Sequence, residues 1–258
     1  KHANNKLSTV VELDKKEGRD LFLRMLPKID VVIENFAPRV MPNFGLDETV
    51  LKKHNPDLTY VTMPGYGRSG PNKDWVAYGP TIDGHAGHTW LTGYLDEIPW
   101  KCGIAWPDPT AGLHAAAATL VALLDRQCCG LKGQTIEVAQ AETAINMIGQ
   151  HIVASQTGVT SRRWGNRRPG RAPQGVYPCV GRDRWIAIAV IDDASWNGLC
   201  EVTGMADLRH LEIDERWRRH DEIDQRLSSF TAKCDDRMLM KDLQEAGVPA
   251  GAVLDAAD

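Results

Sequence analysis

Three β-branched runs separated by helix-period stretches restrict this chain more than any other feature of its sequence. Ser8–Leu13 (STVVEL), Asp30–Phe36 (DVVIENF) and Leu58–Met63 (LTYVTM) read as strands. Asp14 is placed to cap a helix over Lys15–Leu26, with Leu21, Phe22, Met25 and Leu26 on one face, and a second helix is expected at Asp47–His54. Strand–helix–strand–helix–strand is half of a doubly wound sheet with right-handed crossovers. The expected fold class is therefore α/β, with a Rossmann-like open parallel sheet. Ligands of such sheets sit just past the strand carboxyl ends. That draws attention to Asn35 and Phe36 after one run and to Pro64–Gly70 after the next.

A longer helix is announced by Gly103–Asp125 (GIAWPDPTAGLHAAAATLVALLD). Leu113, Ala117, Leu120, Val121 and Leu124 have the spacing of one buried face. Asp108 suits the N-cap and Pro109 the first helical position. A carboxylate so placed sits among unpaired backbone N–H groups at the positive end of the helix dipole, and two prolines fix its direction. Such a group is either a plain cap or a nucleophile, and this stretch taken alone favours the cap.

Gly65–Gly70 (GYGRSG) matches G-x-G-x-x-G to the letter. Pro71 follows at once, no apolar helix opens on the glycines, and no acidic residue closes a following strand, so dinucleotide binding is rejected. The glycines still let a backbone approach a ligand closely. His85 and His88 are three residues apart but have no third ligand at a recognised spacing, so no metal is expected. The net charge of −4 argues against a general binder of nucleic acid or acidic membranes. No apolar run reaches the length of a membrane span. Six cysteines scattered without C-x-x-C spacing, and no leader pattern, predict free thiols in a cytoplasmic protein.

Gln134–Ala139 reads as extended and Gln140–Ser155 as one helix. Ser161–Arg171 (SRRWGNRRPGR) then carries five arginines, either solvated or clamping an anion. Gly175–Cys179 and Arg184–Val190 form a hairpin, a helix is expected at Asp193–Thr203, and Asp207–Ala246 is helical with Arg216–Arg219 on a solvated face. Val248–Leu254 is a last extended piece. The composition divides the chain into a large domain, 1–155, and a smaller α+β domain, 156–258.

Six stretches together resemble the class III CoA-transferases, the CaiB/BaiF family of formyl-CoA and carnitine-CoA transferase type, which shares its fold with α-methylacyl-CoA racemase. They are DVVIENFAPRVMPNFGLD, LTYVTMPGYGRSGP, GIAWPDPTAGLHAAAATLVALLDR, GLKGQTIEVAQAE, APQGVYPCVGRDRWIAIAV and LQEAGVPAGAVLD, in family order. The resemblance implies a CoA-binding large domain, an interlocked homodimer, and acyl-CoA and a carboxylic acid as substrates. It implies that Asp108 is the nucleophile, passing through an acyl–aspartyl anhydride and an aspartyl-CoA thioester. It assigns Tyr78 to the active site, Gln174 and Gly175 to the loop over the reacting carboxylate, and Asn35 and Phe36 to CoA. Gly65, Gly67 and Arg68 of the glycine loop join them as expected CoA contacts.

Racemases of this fold carry a histidine where this chain has Tyr78, and tyrosine is a poor base for an acyl α-proton. Arg171–Gly175 keeps one glycine where formyl-CoA transferases have a glycine-rich run. Family members also begin with a further strand–helix–strand and end with a returning tail, so the chain resembles the middle of one. The expected function is CoA transfer. The alternatives are racemase or isomerase chemistry on the same fold, and an incomplete CoA-fold subunit that does not turn over.

Overall fold

The computed structural model describes residues 4–94 and 96–258. Two compact units divide it, Lys1–Gly93 with Ile98–Arg163, and Tyr94–Glu97 with Trp164–Asp258.

In the first unit α1 (Lys16–Met25), β1 (Val31–Glu34), α2 (Val40–Asn43), α3 (Glu48–His54) and β2 (Thr59–Thr62) follow the expected alternation. Then come α4 (Gly79–His85), α5 (His88–Leu91), α6 (Pro107–Cys129), β3 (Thr135–Glu137), α7 (Gln140–Met147) and α8 (Gly149–Gln156). The sheet is parallel, in the order β1-β2-β3, with Val31 opposite Thr59 and Tyr60 opposite Thr135. All four β2 residues are buried, as the central strand of a covered parallel sheet requires. Leu26, Leu46, Leu51, Leu58 and Tyr60 form one core, and Val61, Val138, Ala111 and Ala115 another.

Four expectations fail here. Ser8–Leu13 is not a strand; Leu7 and Val10 are almost fully exposed, and no described strand lies beside the run to complete a ladder. Asp14 does not cap α1: the N-cap is Lys15, without a side-chain bond, and the Asp14 carbonyl instead accepts from Arg19. Asp47 does cap α3, accepting from the Val50 N–H at 3.0 Å. The helix expected over Gln140–Ser155 is two, α7 and α8, interrupted at Ile148 where Gly149 follows. The largest failure is the face of α6. Leu113, Leu120, Val121 and Leu124 are 56–72% exposed, and Ala111, Ala115 and Ala122 are buried instead. Small side chains let α6 lie close against Val61 and Val138 of the sheet layer.

The second unit holds β4 (Gln174–Pro178), β5 (Trp185–Ala189), α9 (Asp193–Thr203), α10 (Ile213–Arg218), α11 (His220–Thr231), α12 (Asp236–Glu245) and β6 (Ala250–Ala252). Its sheet is antiparallel, β4-β5-β6, over a core that includes Tyr177, Ile186, Ile188, Trp196, Leu199 and Leu243. Asp192 and Ser195 build a reciprocal capping box on α9. Arg216 is buried rather than solvated: it lies over the Trp196 ring at 5.2 Å and donates to Asp193 at 2.9 Å.

Candidate active site

The carboxyl ends of the three parallel strands are laced together by hydrogen bonds. Glu34 ends β1 and turns back on itself: its Oε2 accepts from the Phe36 N–H at 2.6 Å and its Oε1 from the Tyr60 hydroxyl at 3.1 Å. Burial and the neighbouring Glu34 carboxylate push the Tyr60 phenol above its ordinary range, so it stays a donor. The Asn35–Phe36 turn is thereby fixed. Past β2, the Pro64 and Gly65 carbonyls accept from the Gln140 and Ala141 N–H groups (3.1 and 2.9 Å), which supplies partners to the first turn of α7. Gly65 is needed as glycine, because a Cβ there would stand 2.1 Å from the Ala77 Cβ.

Asp108 comes to these strand ends on the first turn of α6. It is not the cap. Trp106 holds that position, Pro107 opens the helix, and the Asp108 N–H bonds to the Ala105 carbonyl at 3.2 Å. Since Pro107 and Pro109 carry no N–H, the carboxylate does not sit among unpaired donors as the sequence implied. The residue is exposed. What places it is Gly79, the first residue of α4: a Cβ on Gly79 would meet Asp108 Oδ2 at 2.1 Å and the Ala105 Cβ at 2.3 Å. The adjacent Tyr78 is the α4 N-cap and is 71% exposed, with its N–H held by Thr81 Oγ1 at 2.9 Å.

A cavity of about 360 Å³ opens at this junction. Five of the sequence candidates line it together: Asn35, Phe36, Gly65, Tyr78 and Asp108. Trp75, one of the tryptophans near the motifs that hint at an aromatic pocket, lines it as well, with Arg39, Lys73 and Gln140, which the sequence did not single out. All four follow the end of a parallel strand, so the positional rule that found Asn35 applies to them too. Trp75 is stacked on His85 with ring centroids 5.4 Å apart. His85 and His88 therefore serve packing; His88 is buried, with Nε2 2.9 Å from the Ala144 carbonyl and Nδ1 3.6 Å from the buried Asp83. Among the described residues no group of three or more metal-ligating side chains assembles.

Gly67 and Arg68 are not part of the lining. The Arg68 N–H donates to Glu137 at 2.5 Å and its guanidinium to Glu48 at 3.0 Å, and Gly67 lies beside the same Glu137 carboxylate. Burial opposes ionisation of Glu48, but hydrogen bonds from Thr135, Arg68 and Lys52 outweigh it and hold its carboxyl below the usual range.

Gln174 and Gly175 belong to the second unit, at the start of β4. The Gln174 N–H donates to His220 Nε2 at 3.1 Å and its Nε2 to the Asn166 carbonyl at 2.9 Å. Burial lowers the pKa of His220, in keeping with a neutral ring that accepts at Nε2. Gly175 leaves room for the Tyr177 hydroxyl, which donates to Asp224 at 2.7 Å; Asp224 is also paired with Arg167, so this member of the arginine-rich loop serves the unit's own structure. No helix among the described residues is long and apolar enough to cross a membrane.

Residues 1–258 match the sequence profile described as CoA-transferase family III. The chain is 31% identical to succinyl-CoA–D-citramalate CoA-transferase of Chloroflexus aurantiacus, with 98% of this chain and 64% of that protein covered. Identity to succinate–glutarate CoA-transferase of Agrobacterium fabrum is also 31%, again over 98% of this chain and 64% of the relative. A crystal structure of a CaiB/BaiF family protein from Brucella suis superposes with a TM-score of 0.89 at 31% identity, covering 98% of this chain and 67% of that one. The chain thus spans under two thirds of the length of these curated relatives.

Proposed function

The chain belongs to CoA-transferase family III, and from that premise we propose that it transfers coenzyme A between an acyl-CoA thioester and a carboxylic acid, with Asp108 as the nucleophile. The observation that carries this reading is the meeting of an exposed carboxylate, Asp108, with Asn35, Phe36, Tyr78, Arg39 and Lys73 in one cavity at the strand ends. An exposed carboxylate is open to a substrate carbonyl. Attack by Asp108 on the thioester carbonyl expels CoA thiolate and leaves an acyl–aspartyl anhydride. The thiolate attacks the aspartyl carbonyl and expels the donor acid, giving an aspartyl-CoA thioester. The acceptor carboxylate then displaces CoA from that thioester, and the thiolate attacks the new acyl carbon and frees Asp108. Every step moves negative charge between sulfur and oxygen with no net proton change. Lys73 and Arg39 supply positive charge on the wall, and Tyr78 and Asn35 supply neutral donors. Gln174 and Gly175, which lie in the second unit, are proposed from the resemblance to take part in catalysis. Gly67 and Arg68 are proposed to act behind the lining, in shaping the loop that carries Gly65.

Trp75 gives the cavity an aromatic wall suited to the flat surface of a substrate or of adenine. The acyl donor and acceptor proposed are small carboxylic acids and their thioesters, the chemistry that the names of the relatives share. A homodimer is proposed as the working form. It is supported by the four large apolar residues that α6 leaves exposed.

Exchange of a labelled acid into its CoA thioester by the purified protein tests the reading. The same incubation in deuterated water separates transfer from racemase chemistry. Transfer predicts label exchange without α-deuterium in a 2-methylacyl-CoA; deuterium uptake without exchange would contradict it, since Tyr78 stands where the racemases carry their histidine.

A further inference from the structure

Strand β4 lies at the edge of its sheet, and the N–H of its first residue, Gln174, is taken by a side chain rather than a strand: His220 Nε2 accepts it at 3.1 Å. His220 opens α11 and is 2% exposed. A ring nitrogen that accepts carries no proton, so the neutral ring keeps its proton on Nδ1, which has no hydrogen-bond partner among the described residues. The same Nε2 faces a second group. Asp224 Oδ1, one turn along α11, lies 3.6 Å away, and no hydrogen bond joins it to the neutral ring because both atoms only accept. Nε2 thus stands between a donor, which it holds only when neutral, and a carboxylate, which it holds only when protonated.

We propose that His220 is a positioning residue for the reaction: the neutral ring anchors the Gln174–Gly175 segment at the start of β4, and a protonated ring releases it in favour of Asp224. The inference rests on the CoA-transfer reading above, in which Gln174 and Gly175 take part in catalysis. The surroundings decide which state prevails. Burial is the largest influence and lowers the pKa of the ring; Arg167, from the loop before β4, acts in the same direction, while Asp224 and Asp221 of α11 oppose it. Asp224 is already engaged, since the Tyr177 hydroxyl of β4 donates to its Oδ1 at 2.7 Å and Arg167 pairs with its Oδ2. From α10 the ring meets only the Trp217 indole, edge-on with centroids 5.4 Å apart. Because the folded pKa is lowered, the anchor is in place at neutral pH and is lost as the pH falls through that lowered value.

The test is a pH titration of the isotope-labelled chain by nuclear magnetic resonance, beside CoA-exchange kinetics of the wild type, His220→Phe and His220→Gln. The Gln174 amide signal should move with the same midpoint as the His220 ring, below the ordinary histidine range, and exchange should fall on the acid side with that midpoint. Phenylalanine keeps a ring against Trp217 but offers no acceptor, so exchange at neutral pH should fall about tenfold. Glutamine returns an acceptor oxygen at the place of Nε2 and does not titrate. It should restore most of the exchange and abolish the acid-side fall, and so tests the anchor even if His220→Phe fails to fold. A Gln174 amide that ignores the His220 titration, or a His220→Gln protein that keeps the wild-type acid limb, would overturn this inference and leave CoA transfer standing. A wild type that exchanges no CoA at any pH would overturn both.

Discussion

Gly79 lacks a side chain at the one place where the Asp108 carboxylate and the Ala105 methyl already fill the space. A methyl there can push the Asp108 carboxylate aside, but not the Ala105 Cβ, which is fixed to backbone. We expect Gly79→Ala to cost about 1–3 kcal/mol through overpacking and to displace Asp108, cutting CoA exchange at least about tenfold, as small misplacements at reacting groups do. Thermal melting and exchange kinetics on the same preparation check both parts; full activity with an unchanged melting temperature would contradict the contact. At this scale the hydrophobic pattern pointed to Asp108, Asn35 and Phe36, each next to a strand end or a helix start, while Tyr78 was pointed to only by the family resemblance; the four line one cavity with Gly65. It did not reveal how Asp108 is held. Capping depends on where the helix begins, and Pro107, not Pro109, begins it. Nor did it reveal Gln140, because a glutamine on a helix resembles any solvated residue until its two acceptors, from β1 and β2 ends, are known.

The helices and strands themselves were mostly legible, and their orientation was not. Helix α6 shows why. The hydrophobic period nominated a leucine face, and a leucine face gains most from burial. The distance to a parallel sheet is nevertheless set by the smallest side chains, and the alanine row at Ala111, Ala115 and Ala122 allows the closer approach. The two faces predict opposite mutational behaviour. Ala115→Leu should lose about 1–3 kcal/mol of stability from overpacking against Val61 and Val138, while Leu120→Ala, at protein concentrations low enough to keep the chain monomeric, should stay within about 0.5 kcal/mol, as exposed substitutions do. Urea denaturation of both variants checks this, and the reverse order would mean that the buried face is the leucine one. The run at Ser8–Leu13 failed for a related reason. Strand propensity is expressed only beside a neighbour that completes the ladder, and no such neighbour is described here.

Over the whole molecule, the α/β class and the parallel first sheet with an antiparallel second one followed from the order of periodic segments. The exposed leucine face of α6 bears on assembly. If it is the homodimer contact, sedimentation at tens of micromolar should give a dimer, and Leu113→Glu with Leu120→Glu and Leu124→Glu should give a folded monomer. A wild type that sediments as a monomer would contradict the proposed dimer without touching the chemistry. The chemistry rests on Asp108. Its carboxylate is exposed and does not cap α6, so Asp108→Asn should leave the melting temperature unchanged. The nucleophilic oxygen is lost, and exchange should fall by at least about a thousandfold, as loss of a covalent nucleophile does. Hydroxylamine added during turnover should mark Asp108 as its hydroxamate in the wild type and leave the variant unmarked. The decisive measurement is the exchange rate of that variant beside the wild type: a thousandfold loss at unchanged stability is the result expected, and an Asp108→Asn protein that exchanges CoA at the wild-type rate would contradict the account.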